Sequence, residues 1–112
     1  MSAMAAGCRG ALASLMGLAL AGPAAAQQAG DIAAGRHLAE TWCSNCHVVG
    51  PQESGPAADA APTFSSIARM PSTTEMSLRA FLRTPHVRMP DYHLSPAELD
   101  DLVAYILSLR GR

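Results

Sequence analysis

The chain has 112 residues, which suits one domain, with 49% hydrophobic and only 15% charged residues. Eight cations, every one an arginine, oppose nine acids, so the net charge is −1 and no basic stripe points to nucleic acid. Most of the charged side chains read as a solvated surface.

Residues 1–10 carry one positive charge, Arg9; residues 11–22 are an apolar run; and Pro23-Ala24-Ala25-Ala26 ends in an A-x-A pattern. This is the order of a secretory signal peptide, with cleavage after Ala26. The apolar run is shorter than the roughly 20 residues of a membrane span, so no stable membrane insertion is expected after cleavage. The expectation is an exported, periplasmic bacterial protein whose mature domain covers residues 27–112. Cys8 leaves with the signal, which strands Cys43 and Cys46 as the mature thiols and leaves no structural disulfide. A mature domain this small has a limited apolar core and usually needs a staple.

Residues 27–30 read as a short flexible leader. Asp31 is placed to N-cap a helix running to Trp42, with Ile32, Gly35, Leu38, Ala39 and Trp42 on its apolar face. The helix closes on Cys43-Ser44-Asn45-Cys46-His47, a C-x-x-C-H signature for covalent c-type haem attachment. The chemistry explains the spacing. Two thiols reach the two vinyl groups on one edge of a porphyrin, and the next side chain swings beneath the ring to offer an imidazole nitrogen to the iron. A bare C-x-x-C also suits a redox disulfide or half a zinc site. The trailing histidine and the lack of a second cysteine pair argue against both. One covalent haem c is therefore expected, with Cys43 and Cys46 as its thioether anchors and His47 as the proximal ligand. Such a group would also be the missing staple, so the haem-free chain is expected to be poorly folded.

Residues 48–62 form a loop rich in glycine, proline and small residues. Residues 64–70 have room for a short helical turn, with Phe64 and Ile67 facing inward. Ser72 and Glu75 read as a capping box opening a helix with Leu78, Phe81 and Leu82 at i, i+3, i+4 spacing, bounded by Pro85. A second loop, residues 86–94, contains Met89-Pro90. The last helix has the clearest signals: Ser95 as cap, Pro96 at the first position, and Glu98 completing a capping box. Leu99, Leu102, Val103, Ile106 and Leu109 form its apolar stripe, and Gly111 is placed to end it. No β alternation or repeat is present. The class is all-α, with three main helices and long loops wrapped around one cofactor.

Read together, "GDIAAGRHLAETWCSNCH", "RMPDYHLSPAELDDL" and "LVAYI" resemble a class I cytochrome c of the short bacterial kind, over essentially the whole mature chain. The resemblance implies the cytochrome c fold. It also implies a close crossing of the first and last helices, with Gly35 facing Leu102-Val103-Ala104-Tyr105. Many members place an aromatic residue at this crossing where the chain has Ala39, so Trp42 or Tyr105 is expected to fill the space. Candidates for the sixth iron ligand are Met70, Met76, Met89, His37, His86 and His93. In the family this ligand is a methionine in a Met-Pro setting shortly before the last helix, which selects Met89; His86 and His93 are its rivals. The resemblance further implies a hydrogen bond from the proximal imidazole to a loop proline carbonyl, with Pro62 first choice and Pro56 second. His37, His86 and His93 otherwise read as surface histidines.

The function this implies is one-electron transfer, not enzymatic turnover, since the chain has no acid–base constellation. The partners would be redox proteins: a respiratory complex, a dehydrogenase or an oxidase. Arg79, Arg83 and Arg88 are expected to flank the haem edge and steer an acidic partner. The alternatives are the haem subunit of a larger periplasmic oxidoreductase, or a gas-binding or peroxidase-like haem protein. Fast carbon monoxide binding would mark the last of these.

Overall fold

A computed structural model describes residues 29–52 and 61–111. The expected signal, residues 1–26, and Pro56 lie outside the described residues. Within them the chain is helical and no strand is present.

Helix α1, Ile32–Leu38, starts where Asp31 accepts the amides of Ala33 (2.7 Å) and Ala34 (3.1 Å). It does not continue as a regular helix to Trp42. Ala39–Cys43 forms a π turn, with the Ser44 amide reaching back to the Ala39 carbonyl at 3.1 Å. Such wide turns insert a residue and cluster at functional sites. Helix α2, Phe64–Arg69, is capped by Thr63. Two bonds fold it back on the segment after His47: the Phe64 amide to the Val48 carbonyl (2.9 Å), and the Ser65 hydroxyl to the Pro51 carbonyl (3.2 Å).

Helix α3, Glu75–Leu82, corrects the expected cap. Thr74 and Ser77 form the capping box, not Ser72 and Glu75. Ser72 is used up in a turn closed by the Thr73 amide on the Met70 carbonyl (3.0 Å), and its own carbonyl accepts the Ser77 hydroxyl. On the apolar face of α3, Leu78 is buried while Phe81 is half exposed. Helix α4, Pro96–Ser108, starts as expected, with the Ser95 amide donating to Glu98 and the Glu98 amide to the Ser95 hydroxyl. At its far end the chain tightens into a 3₁₀ turn, Leu109–Gly111. No described glycine has a positive φ, so Gly111 does not end the helix by a left-handed cap.

The core is the α4 stripe: Leu99, Leu102, Val103, Ile106 and Leu109 are all buried, joined by Tyr105, Ala39, Phe64, Ala68 and Leu78. Helices α1 and α4 cross closely. A Cβ at Gly35 would overlap the Asp101 carbonyl and lie 2.9 Å from Tyr105 Cβ, so only glycine fits there. Gly30 is equally pressed against the Asp100 carbonyl, and the Asp31 amide bonds Asp101 at 2.6 Å. The end of the leader is thus docked on α4, not free. Ala39 is fully buried and Tyr105 stands beside Gly35, whereas Trp42 turns elsewhere.

Two arginines tie the helices together. Arg79 on α3 pairs with Glu75 one turn back and with Asp100 on α4. Arg110, in the final turn, donates to the Ala68 carbonyl at the end of α2 (2.9 Å) and to the Thr73 carbonyl (2.6 Å).

Candidate functional site

The π turn and the residues after it, with α2, α3 and α4, border a cavity of about 570 Å³ that is open on one side, within the size range of a cofactor site. Its wall is mostly apolar. Trp42, Cys43, Cys46 and His47 come from the π turn and the residues after it; Pro62, Phe64 and Ile67 come from the α2 side. Leu78, Phe81 and Leu82 of α3 face Leu102 and Ile106 of α4 across it. Both thiols and the adjacent imidazole thus open onto one apolar space, which is the donor set and the surface that a covalently bound haem needs.

His47 is held by its Nδ1, 2.6 Å from the Pro62 carbonyl oxygen. A carbonyl can only accept, so Nδ1 carries a proton and, in the neutral ring, Nε2 is the nitrogen left with a lone pair. That is the tautomer a metal ligand requires. The Phe64 ring, 5.3 Å from the imidazole and tilted 54°, packs beside it. Pro62 arrives there because Phe64 is bonded to Val48, one residue after His47. The Tyr105 hydroxyl adds a buried bond to the Val49 carbonyl (2.7 Å), which fastens the same segment to α4.

The thiols differ. Burial, and secondarily the neighbouring Cys46, pushes the Cys43 thiol up to about 11, so at neutral pH it is an apolar thiol in the wall. Cys46 is exposed.

Of the six candidates for the opposite ligand, Met70, His86 and Met89 line the cavity. His37, Met76 and His93 do not, and the Met76 side chain stands 78% exposed. His86 is no ordinary surface histidine. Its ring stacks on Phe81 at 3.7 Å, and the chain from His86 to Met89 makes a turn closed by the Met89 amide on the His86 carbonyl (3.4 Å). Met89 is half-buried, and with Trp42, Pro90 and Tyr92 it also borders a small adjoining pocket.

The three expected steering arginines separate. Arg88 is on the cavity rim and Arg83 is exposed. Arg79 is not on that rim; its charge is spent on Glu75 and Asp100, so it braces α3 against α4. Sequence reasoning missed one contact altogether: the Trp42 and Tyr92 rings stack at 5.5 Å, and the Tyr92 hydroxyl donates to the Trp42 carbonyl (2.9 Å). No spacing rule links residues 50 apart, although two aromatics beside the C-x-x-C-H and Met-Pro segments were visible.

The family model described as cytochrome c oxidase, cbb3-type, subunit III, matches residues 30–106. Cytochrome c-552 of Bradyrhizobium diazoefficiens is 42% identical over 93 residues, which span 83% of this chain and 88% of that protein. No solved structure matches the chain.

Proposed function

We propose, from the premise that this chain belongs to the cytochrome c family and is a mono-haem electron-transfer protein, that Cys43 and Cys46 hold the haem and that His47 and Met89 are its axial pair. The observation that carries this reading is the apolar cavity whose wall contains all four side chains. When bound, haem supplies one-electron exchange between ferric and ferrous iron. The protein's own residues do the rest. The Pro62 carbonyl fixes the His47 tautomer and makes the imidazole a better donor. As a ligand, the Met89 thioether would favour ferrous iron and so raise the potential relative to a second histidine. Stacking of His86 on Phe81 occupies that ring and supports Met89 over His86. Leu78, Leu82, Leu102 and Ile106 keep water from the site.

The relative's name fits an electron carrier that meets other redox proteins, not an enzyme. We assign residues 1–26 to a cleaved signal and residues 27–112 to the haem domain, exported to the periplasm. Among the described residues no helix is long and apolar enough to cross a membrane. Donor and acceptor would be a respiratory complex, a dehydrogenase or an oxidase, with Arg83 and Arg88 presenting positive charge near the cavity. A second reading, haem subunit of a larger oxidase, is favoured by the description of the matching family model. The match to 88% of a cytochrome c-552 favours the free carrier.

The test is Met89→Ala in the holoprotein. Its potential should fall and the reduced form should bind carbon monoxide quickly, while the parent binds it slowly. An unchanged potential and spectrum would remove Met89 from the iron; fast binding by the parent would favour a ligand-binding haem protein.

A further inference from the structure

Trp42 immediately precedes Cys43, and Tyr92 lies three residues beyond Met89. Their side chains join these two functional segments directly. The rings lie 16° from parallel with centroids 5.5 Å apart, and the Tyr92 hydroxyl donates to the Trp42 carbonyl at 2.9 Å. That carbonyl sits where the π turn ends, and carbonyls at a helix end lack their usual main-chain donors. The amides of Cys46 and His47, the nearest donors, both turn to the Cys43 carbonyl instead (3.1 and 2.9 Å). Tyr92 therefore fills the place of a missing helix bond with a side chain from the Met89 loop.

The loop beyond Tyr92 is fixed to match. Asp91 accepts the His93 amide at 3.0 Å, His93 takes a left-handed φ of 48°, and Leu94 packs on the core. A non-glycine residue stays in that region only when its neighbours hold it there. Here the Asp91 carboxylate holds His93 directly, and the anchored Tyr92 and Leu94 flank it. On the other side of Met89 the chain is held by the 3.4 Å bond to His86, whose ring stacks on Phe81, while Val87 between them is exposed.

We propose that Tyr92 is a positioning residue for the axial methionine: by stapling the Met89 loop to the turn that carries Cys43, it sets how often Met89 swings out of the cavity. The proposal rests on the assignment of Met89 as ligand. Swinging out exposes the sixth position, so an external ligand binds in proportion to the open fraction. Loss of one hydrogen bond of ordinary net strength raises that fraction by roughly 2- to 12-fold.

The experiment is imidazole titration of the oxidised holoprotein, followed by the far-red absorption band of sulfur-ligated ferric haem, with amide hydrogen exchange measured in parallel. Tyr92→Phe keeps the ring and removes the hydroxyl. It should tighten imidazole binding and speed exchange in residues 86–94, each by about 2- to 12-fold, while α4 exchanges as in the parent. Trp42→Leu and Tyr92→Leu should each loosen the loop further, and the double variant should be less than additive. Unchanged imidazole binding in Tyr92→Phe, or a change matched by equal acceleration in α4, overturns the proposal. Met89→Ala separates the two readings. If the far-red band persists there, the ligand assignment fails and the proposal with it; if the band is lost there while Tyr92→Phe binds imidazole like the parent, the staple alone fails.

Discussion

Without its haem, the chain should not hold this fold. Cys43→Ser together with Cys46→Ser removes both covalent anchors, and the purified variant can be freed of haem. The cavity of about 570 Å³ then has to collapse or fill with water. At about 24 cal/mol per Å³, an empty cavity of that size costs about 14 kcal/mol, an upper bound because one side is open to solvent. A domain spanning residues 27–112 has about 4–13 kcal/mol in total, at 0.05–0.15 kcal/mol per residue. A third of the cavity cost, about 5 kcal/mol, already exceeds the lower figure and takes more than a third of the upper one. The cavity also lies directly against the core, since Leu102 and Ile106 of the buried α4 stripe face it. Far-ultraviolet circular dichroism should show reduced helix at 25 °C and a broad, non-cooperative melt, while the holoprotein melts sharply. A sharp melt of the haem-free variant, with holoprotein-like helix content, would refute this reasoning.

Two further perturbations test the scaffold. Gly35→Ala normally gains about 1 kcal/mol within a helix, but here the added methyl meets the Asp101 carbonyl; the net should be a loss of about 1–3 kcal/mol in denaturant melts of the holoprotein, and equal or higher stability would contradict the crossing. The second concerns Glu98, whose carboxyl is held below its ordinary value of 4.5 by the Ser95 side chain first and the Ser95 amide second. A depressed carboxyl stabilises the fold above that ordinary value, and the gain disappears as pH falls through the lower folded value. Glu98→Gln should therefore flatten the acid limb of the stability profile while leaving its alkaline limb alone, and Ser95→Ala should cost about 1 kcal/mol at neutral pH.

What could be read from the residues follows the range of the interactions. The start of α4 was legible because Ser95, Pro96 and Glu98 act on one another within a single turn. The same local grammar misplaced the start of α3, since Ser72/Glu75 and Thr74/Ser77 both have capping spacing, and a turn closed on Met70 decides between them. The π turn was not legible at all: nothing in "AETWC" departs from helical pattern, and the wide turn shows only in its hydrogen bonds. At the site, the C-x-x-C-H spacing singled out three residues that share one cavity wall, because that motif is local. Arg79 was misread because its partner Asp100 is 21 residues away and the periodicity of α3 is silent about it. The stacking of His86 on Phe81 was not legible either, because the break at Pro85 removes any helical spacing between them.

Arg110 holds a wall that it does not itself line. Its guanidinium clamps the Ala68 and Thr73 carbonyls, and the stretch between them carries Met70, Ser72 and Thr73 of the cavity wall. The turn after α4 is therefore a latch on that stretch, and the shape of the pocket depends on a side chain outside its lining.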